Sequence, residues 1–203
     1  MTQTNEEHVL GLPADHARRV LGAVVGFRPA TTADLARLLD PAALEFRPRA
    51  AAETDETFWQ LIPYVVVRHD NKLFHYRRGQ AGGEVRLRSL RSVGIGGHIN
   101  PADGVGGNSY RAGLLREVEE EVALPSIIDE TLLGLLHDDT TPVGRVHLGV
   151  VHLFDVAQPE VQAREAAIAE SGFAPPDQLW SERTGFETWS QRALAHLLDQ
   201  PLD

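Results

Sequence analysis

The sequence predicts one mixed α/β domain preceded by a helical extension at its amino terminus. Strand-like and helix-like segments alternate from residue 55 onward, whereas the first 54 residues show helix-like patterns only. The chain has 203 residues, of which 42% are hydrophobic and 24% charged, a composition typical of a soluble globular protein. We therefore assign residues 1–54 to the extension and residues 55–203 to an α/β layered domain.

Two helices are expected in the extension. The first falls within residues 13–25, where Pro13 and Asp15 stand at a typical helix start. The second covers residues 32–39 and ends before the Asp40-Pro41 pair. Residues 47–56 read as a linker. We expect the extension to pack on the domain or on a partner in a homodimer.

The elements of the domain follow in chain order. Residues 58–68 and 72–77 form two strands joined by a turn at Asp70-Asn71, which predicts a hairpin. A third strand covers residues 85–95 and ends at Gly96-Gly97. The remaining elements are a helix over 109–122, strands over 131–137 and 145–156, a helix that opens at Pro175, and a final helix over 186–198.

Charge and composition exclude several function classes. The net charge of −10 repels polyanions, so a nucleic-acid polymer is not an expected partner. The chain has no cysteine, which excludes disulfides, thiolate metal sites and a cysteine nucleophile. No stretch approaches the ~18 consecutive apolar residues of a membrane span, and the polar amino terminus lacks a signal-peptide pattern. We expect a cytoplasmic protein without a membrane partner.

An acidic cluster in the helix over 109–122 carries the strongest functional signal. Glu117, Glu120 and Glu121 fall within about 100° of arc, whereas Leu115 and Val118 point to another face. Carboxylates so close together repel unless a cation lies among them. Oxygen ligands suit Mg²⁺ or Mn²⁺, so the pattern indicates a metal site mounted on a helix. A solvated acidic face is the alternative interpretation.

The segment over 94–125 resembles the signature of the Nudix hydrolases, G-x5-E-x7-R-E-U-x-E-E-x-G-U, where U is aliphatic. Residues 116–121, Arg-Glu-Val-Glu-Glu-Glu, match the second half, and Ala123 stands where the family has glycine. The resemblance implies a Nudix-type α/β/α sandwich with a mixed β-sheet. It does not reach residues 1–54.

The first half of the signature departs from the family pattern and allows two registers. Counting forward from Gly97 places Asp103 at the glutamate position and leaves an insertion before the helix. Counting back from Arg116 places Asn108 there, where it would cap the helix. We favour Asp103, because a loop insertion is easier to accommodate than the loss of an acidic group beside a dication.

The resemblance also implies a function. Nudix enzymes hydrolyse a diphosphate linked to a second group, most often in a small nucleotide-derived substrate, with Mg²⁺ or Mn²⁺. Carried over by position, Glu117 and Glu121 are metal ligands, and Glu120 is either a third ligand or the general base. Arg116 fixes a glutamate rotamer, the carbonyl of Gly97 adds a metal contact, and Asp103 is a further candidate ligand.

Other residues invite weaker functional interpretations. His98 and Arg77 are candidates for contact with the substrate. Candidate bases from later loops are Asp138, Asp139, Glu165 and Glu170. Because the first half of the signature is altered, a nucleotide-binding or regulatory module without turnover is the alternative function. An isomerase on the same fold is disfavoured, because that chemistry typically needs a cysteine.

Overall fold

The computed structural model describes residues 6–79, 90–104, 107–164 and 168–202. The chain divides into two compact units. Unit 1 holds residues 1–63, 97–116 and 134–150, and unit 2 holds residues 64–96, 117–133 and 151–203. No helix in the described ranges is long and apolar enough to cross a membrane.

Twelve strands and seven α-helices make up the described part of the chain. The strands are β1 (His8–Pro13), β2 (Gly26–Pro29), β3 (Glu45–Pro48), β4 (Phe58–His69), β5 (Lys72–Arg78), β6 (Arg91–Ser92), β7 (Gly94–Ile95), β8 (Val122–Ala123), β9 (Ile127–His137), β10 (His147–Val156), β11 (Gln162–Ala163) and β12 (Ile168–Ala174). The α-helices are α1 (Ala14–Leu21), α2 (Thr32–Leu38), α3 (Arg49–Ala52), α4 (Gly107–Glu121), α5 (Pro142–Arg145), α6 (Pro176–Ser181) and α7 (Thr188–Leu197). Short 3₁₀ turns lie at Pro101–Asp103 and Arg183–Gly185.

The main sheet is mixed, as the sequence predicts. Its strand order is β12-β5-β4-β10-β9-β2, while β1 pairs with β3 and β4, β6 with β5, and β7 with β4. β4 and β5 form the predicted antiparallel hairpin. β4 and β10 are parallel, because Arg68 pairs with Asp155 and the next residue, His69, bonds the carbonyl of Val156. Together with the helices, this arrangement confirms the mixed α/β fold.

The amino-terminal segment departs from the expectation that it is helical. α1 and α2 occur close to their predicted positions, but three strands accompany them, and the predicted linker over 47–56 contains the end of β3 and all of α3. β1 pairs with β4, and Gly11 lies so close to Phe58 that a Cβ atom would be 2.4 Å from its ring. These strands are short and form by pairing with distant segments, so no local alternation reveals them. The boundary at residue 54 stays a prediction.

The later elements largely follow the sequence. α4 begins at Gly107 and ends at Glu121, β9 begins four residues before its predicted start, and α6 and α7 lie where helices are expected. Residues 85–89 of the predicted third strand lie outside the described residues, and its remainder includes β6 and β7. Residues 159–171, which show no clear periodicity, include β11 and the start of β12.

A buried polar network stabilises unit 2 around Glu187. This carboxylate is 5% exposed and accepts hydrogen bonds from Tyr64 Oη at 3.1 Å, Ser92 Oγ at 2.5 Å and Ser190 Oγ at 3.2 Å. Its second oxygen accepts from an Nη atom of Arg78 at 3.1 Å. Since a buried charge is tolerated only when it is paired and hydrogen-bonded, each member of this network depends on the others.

We expect the Glu187→Ala substitution to lower the free energy of unfolding by about 1–3 kcal/mol, because it removes the acceptor of four hydrogen bonds and leaves buried hydroxyl groups of the network unsatisfied. Glu182→Ala is the matched control, since Glu182 pairs with Arg91 but is 48% exposed. It should cost about 0–1 kcal/mol. Urea denaturation of both variants checks this expectation, and equal losses would contradict the role assigned to the network.

Candidate active site

Helix α4 presents its acidic residues and its apolar residues on different faces. Glu117 and Glu121 are half-buried, and Glu120 is exposed. Leu114 and Val118 are buried one turn apart. Leu115, expected on the apolar face, is instead 37% exposed, because the buried stripe follows the i, i+4 spacing from Leu114. Two half-buried carboxylates one turn apart are consistent with an ion-binding face.

The half-buried guanidinium of Arg78, in unit 2, responds to the charge at the acidic end of this helix. Burial alone would lower the pKa of Arg78, but the charges of Glu187 and, more weakly, Glu121 raise it, so Arg78 stays protonated. Burial raises the pKa of Tyr76, and the charge of Glu121 adds to that rise. Glu121 therefore lies within electrostatic reach of both residues. Arg78 is thus one cation whose charge acts on the carboxyl-terminal end of the acidic helix.

Arg77 points away from this group, since neighbouring residues of a strand face opposite sides. Its Nε atom donates to Glu170 on β12 at 2.7 Å, and the two side chains are 43% and 71% exposed. An exposed pair of this kind contributes little to stability. Arg77 is a candidate for contact with the substrate, and Glu170 is a candidate general base. Their ion pair with each other supports neither role.

Arg116 is held in unit 1 by a two-point ion pair. Its Nε and one Nη atom donate to the two oxygens of Asp103 at 2.6 and 2.9 Å, and the same Nη donates to the carbonyl of His98 at 3.0 Å. The side chain of Asp103 is 3% exposed and also accepts from the backbone N–H of Asn100 at 2.9 Å. Burial would raise the pKa of Asp103, but these hydrogen bonds outweigh burial and lower it.

This geometry bears on the two registers of the signature. Asp103 lies against Arg116 rather than in solvent, whereas Asn108 is exposed and already the second residue of α4. The choice between the two registers stays a prediction, and so does the role of Asp103 as a metal ligand. Both oxygens of Asp103 accept hydrogen bonds from Arg116 or Asn100, so Asp103 positions Arg116.

Gly113 contributes to the site, although the sequence analysis assigns it no role. A Cβ atom there would lie 2.8 Å from two side-chain carbons of Ile99 and 3.0 Å from Asp103 Oδ2. Only glycine therefore lets α4 approach the 98–103 segment closely enough for the Arg116 pair to form. A glycine inside an otherwise regular helical pattern is a signal for such close packing.

His98 is directed into unit 1 rather than toward a phosphate. Its Nε2 lies 3.2 Å from Nε2 of His147, and the rings are tilted at 60°. Burial, followed by the charges of Arg49 and His147, lowers the pKa of His98 to about 3, so its ring is neutral. The half-buried ring therefore carries no charge to attract a phosphate, and the contact of His98 with substrate stays a prediction.

The remaining candidates for the general base are Asp138, Asp139 and Glu165. Asp138 is buried and accepts from the N–H and Oγ1 of Thr140 at 3.2 and 2.6 Å, which is a local turn contact. Asp139 is exposed in unit 1. Glu165 lies outside the described residues. No structural feature singles out any of these residues as the general base.

Three known proteins are similar to this chain. Protein YmaB of Bacillus subtilis (strain 168) is 33% identical over 169 residues, which is 78% of this chain and 80% of that protein. Tm1382, a candidate Nudix hydrolase, has a crystal structure that matches with a TM-score of 0.80 and 31% identity, over 95% of this chain and 99% of its own. The Nudix domain of Shewanella oneidensis NrtR, crystallised with ADP-ribose, matches with a TM-score of 0.54 and 12% identity, over 70% and 87% of the two chains. No family model matches the chain.

The fold and the acidic helix define a protein of the Nudix type, in which a mixed sheet and a signature helix occur together. The likeness to Tm1382 spans nearly the whole of both chains at 31% identity. The chain belongs to the Nudix superfamily. At 12% identity, the likeness to the NrtR domain shows the common fold alone.

We expect Asp103→Asn to lower the free energy of unfolding by about 1.5–3 kcal/mol at neutral pH, the range for hydrogen bonds to charged groups. Because folding lowers the pKa of Asp103, its contribution is present above the unfolded pKa and is lost as pH falls through the folded pKa. The difference between wild type and variant should therefore shrink below about pH 4. Urea denaturation at several pH values measures it.

The control for that prediction is Asn108→Ala, an exposed position on the same helix. It should change stability by less than about 0.5 kcal/mol at every pH. If Asn108→Ala lowered the free energy of unfolding more than Asp103→Asn does, the result would favour Asn108 at the glutamate position of the signature.

Gly113→Ala should destabilise the protein even though alanine is the better helix former by about 1 kcal/mol. The added methyl group meets Ile99, which is fully buried and has no room to move, and overpacking typically costs about 1–3 kcal/mol. Gly185→Ala is the control, because nothing lies within 4 Å of its added Cβ atom. Thermal unfolding of both variants distinguishes the two effects, and a stabilised Gly113→Ala protein would refute the close approach.

Proposed function

We propose that this protein hydrolyses a diphosphate linkage, in a nucleoside diphosphate joined to another group, with Mg²⁺ or Mn²⁺. The observation that carries the proposal is the pair of half-buried carboxylates of Glu117 and Glu121, one turn apart on the signature helix. Membership of the Nudix superfamily supports the reaction class.

The donor set on α4 fits a hard dication. Glu117 and Glu121 would hold it, with Glu120 as a third ligand. All of these donors are oxygens, which Mg²⁺ and Mn²⁺ prefer. When bound, such an ion neutralises phosphate oxygens and lowers the pKa of the attacking water.

The other residues of the site have supporting roles. Arg116 positions the helix and is not placed in contact with substrate, because its guanidinium is occupied by Asp103 and the carbonyl of His98. Glu120 is the exposed member of the acidic cluster. Exposure suits a general base, which accepts a proton from water and releases it to solvent. Glu120 is therefore a candidate for the general base as well as for the third metal ligand.

A binding module without turnover is the second candidate function. It is favoured by one observation: the carboxylate that replaces the first signature glutamate, Asp103, is fully engaged by Arg116 and Asn100. A site with one acidic group fewer binds a dication less strongly. Under this alternative, a nucleotide ligand binds on the Nudix scaffold and leaves unchanged.

A release assay separates the two functions. The substrate panel comprises nucleotide sugars, dinucleoside polyphosphates, coenzyme A, ADP-ribose and nucleoside triphosphates, each with Mg²⁺ or Mn²⁺. ADP-ribose belongs in the panel because the NrtR Nudix domain was crystallised with it. Metal-dependent release from any compound supports the hydrolase. Calorimetric binding of a panel member without release supports the binding module.

We expect Glu117→Gln and Glu121→Gln each to reduce metal-dependent hydrolysis by about 100-fold or more while the protein stays folded, because ligand loss exceeds the 10–100-fold typical of outer-shell changes. Glu119→Gln is the matched control, since Glu119 is an exposed acidic residue on the same helix outside the signature positions. It should retain full activity. Unchanged hydrolysis by either ligand variant would remove the assignment.

A further inference from the structure

We propose that Glu53, His98 and His147 form a second metal site, in unit 1, which takes a transition-metal dication of the Zn²⁺ class. One ligand atom from each of the three side chains lies within 4.8 Å of the others. It is the one such trio among the described residues. Its two nitrogens and one oxygen suit Zn²⁺ or Co²⁺, whereas the oxygen-only donors of α4 suit Mg²⁺.

The two histidines are spaced as metal ligands are. Their Nε2 atoms are 3.2 Å apart. Two nitrogens bound at 2.0–2.1 Å in a tetrahedral site are separated by about 3.3 Å. In the metal-free protein the same spacing accommodates a hydrogen bond from Nε2–H of His98 to Nε2 of His147. A dication would bind both Nε2 atoms once the His98 proton has moved from Nε2 to Nδ1, which leaves that ring neutral.

The tautomer of His147 is already the one that a metal requires. Its Nδ1 lies 2.7 Å from the carbonyl of Val143 on α5. A carbonyl only accepts, so Nδ1 carries the hydrogen and Nε2 carries the lone pair. Metal-binding histidines almost always donate their other ring N–H in this way. α5 therefore fixes the ring with its lone pair toward His98.

A buried amide beside the trio independently indicates a missing polar ligand. Gln60 is fully buried, and in the described part of the chain neither its Oε1 nor its Nε2 has a hydrogen-bond partner. Its N–H donates to the carbonyl of Val146 at 2.8 Å. In a parallel pair such as β4 and β10, this bond places Gln60 beside His147 with both side chains on one face. A water bound to the metal, or the metal itself, would satisfy the amide.

The charge balance around the trio permits a dication despite a nearby arginine. The Nε atom of Arg49 lies 3.3 Å from Glu53 Oε1, and its Nη1 donates to both oxygens of Glu7 at 3.0 and 3.1 Å. One guanidinium thus faces two carboxylates, which leaves a net charge of about −1 before any metal binds. Both histidines can contribute neutral imidazoles, with the proton of His98 on Nδ1, so the two rings add no positive charge to the site.

The test uses full-length protein freed of metal by chelation and titrated with Co²⁺, whose visible absorption is intense when it is tetrahedral or five-coordinate. We expect one equivalent to produce these bands, and His98→Gln, His147→Gln and Glu53→Gln each to weaken Co²⁺ binding by about 100-fold or more. His152→Gln is the matched control, because His152 is also buried on β10 but contacts Glu130. It should keep the bands.

Two further measurements test whether a variant has lost the metal site or has failed to fold. Far-UV circular dichroism without metal shows whether each variant folds, and Glu53→Gln, at the end of α3 outside the core, retains a folded protein if the histidine variants do not. Glu117→Gln should keep the Co²⁺ bands, so loss of hydrolysis and loss of this site are distinguishable. Absence of bands in the wild type, or their persistence in all three ligand variants, overturns the proposal.

Discussion

The ion pair between Arg116 and Asp103 is the constraint on which the candidate active site depends. Its two parallel hydrogen bonds fix the guanidinium plane as well as its distance, which a single contact would not do. Arg116 immediately precedes Glu117 in the helix, so holding Arg116 fixes the rotation of α4 about its own axis. The directions of Glu117, Glu120 and Glu121 follow from that rotation, because each lies at a set multiple of 100°. Gly113 makes the approach possible, and Asp103 is fixed in turn by the capping box that it forms with Asn100 in the 3₁₀ turn.

His98 contacts Arg116 through its backbone carbonyl and His147 through its ring. The backbone position of this residue therefore contributes to the orientation of the signature helix, and the side chain contributes to the His–His–Glu group. A ligand that fixes the ring of His98 would also restrain the carbonyl on which Arg116 depends. The two groups thus share one short segment, although their donor atoms suit different metals.

Much of the fold could be predicted from local pattern, and the rest depends on contacts between distant residues. The β4–β5 hairpin and α4 were predictable because alternation, a turn signal and a helical period all lie within about fifteen residues. The amino-terminal strands were not, because β2 pairs with β9 more than one hundred residues later. The signature glutamates were visible as a motif, whereas His98 and His147 are 49 residues apart and converge only in the folded chain. The period-two alternation of a strand could have shown that Arg77 and Arg78 point to opposite faces, with Arg78 on the face of Tyr76.

The electrostatics of unit 2 weigh against reading the acidic helix as an ordinary solvated face. A solvated face has its charges balanced by water and counterions and needs no buried cation. Here the half-buried guanidinium of Arg78 responds to the charges of both Glu187 and Glu121. Glu187 also accepts a hydrogen bond from Arg78 directly. Glu117 lies one turn before Glu121, and both carboxylates are half-buried. Two carboxylates held one turn apart on a packed helix offer the oxygen donors that suit a hard dication, which favours a metal site over a solvated face.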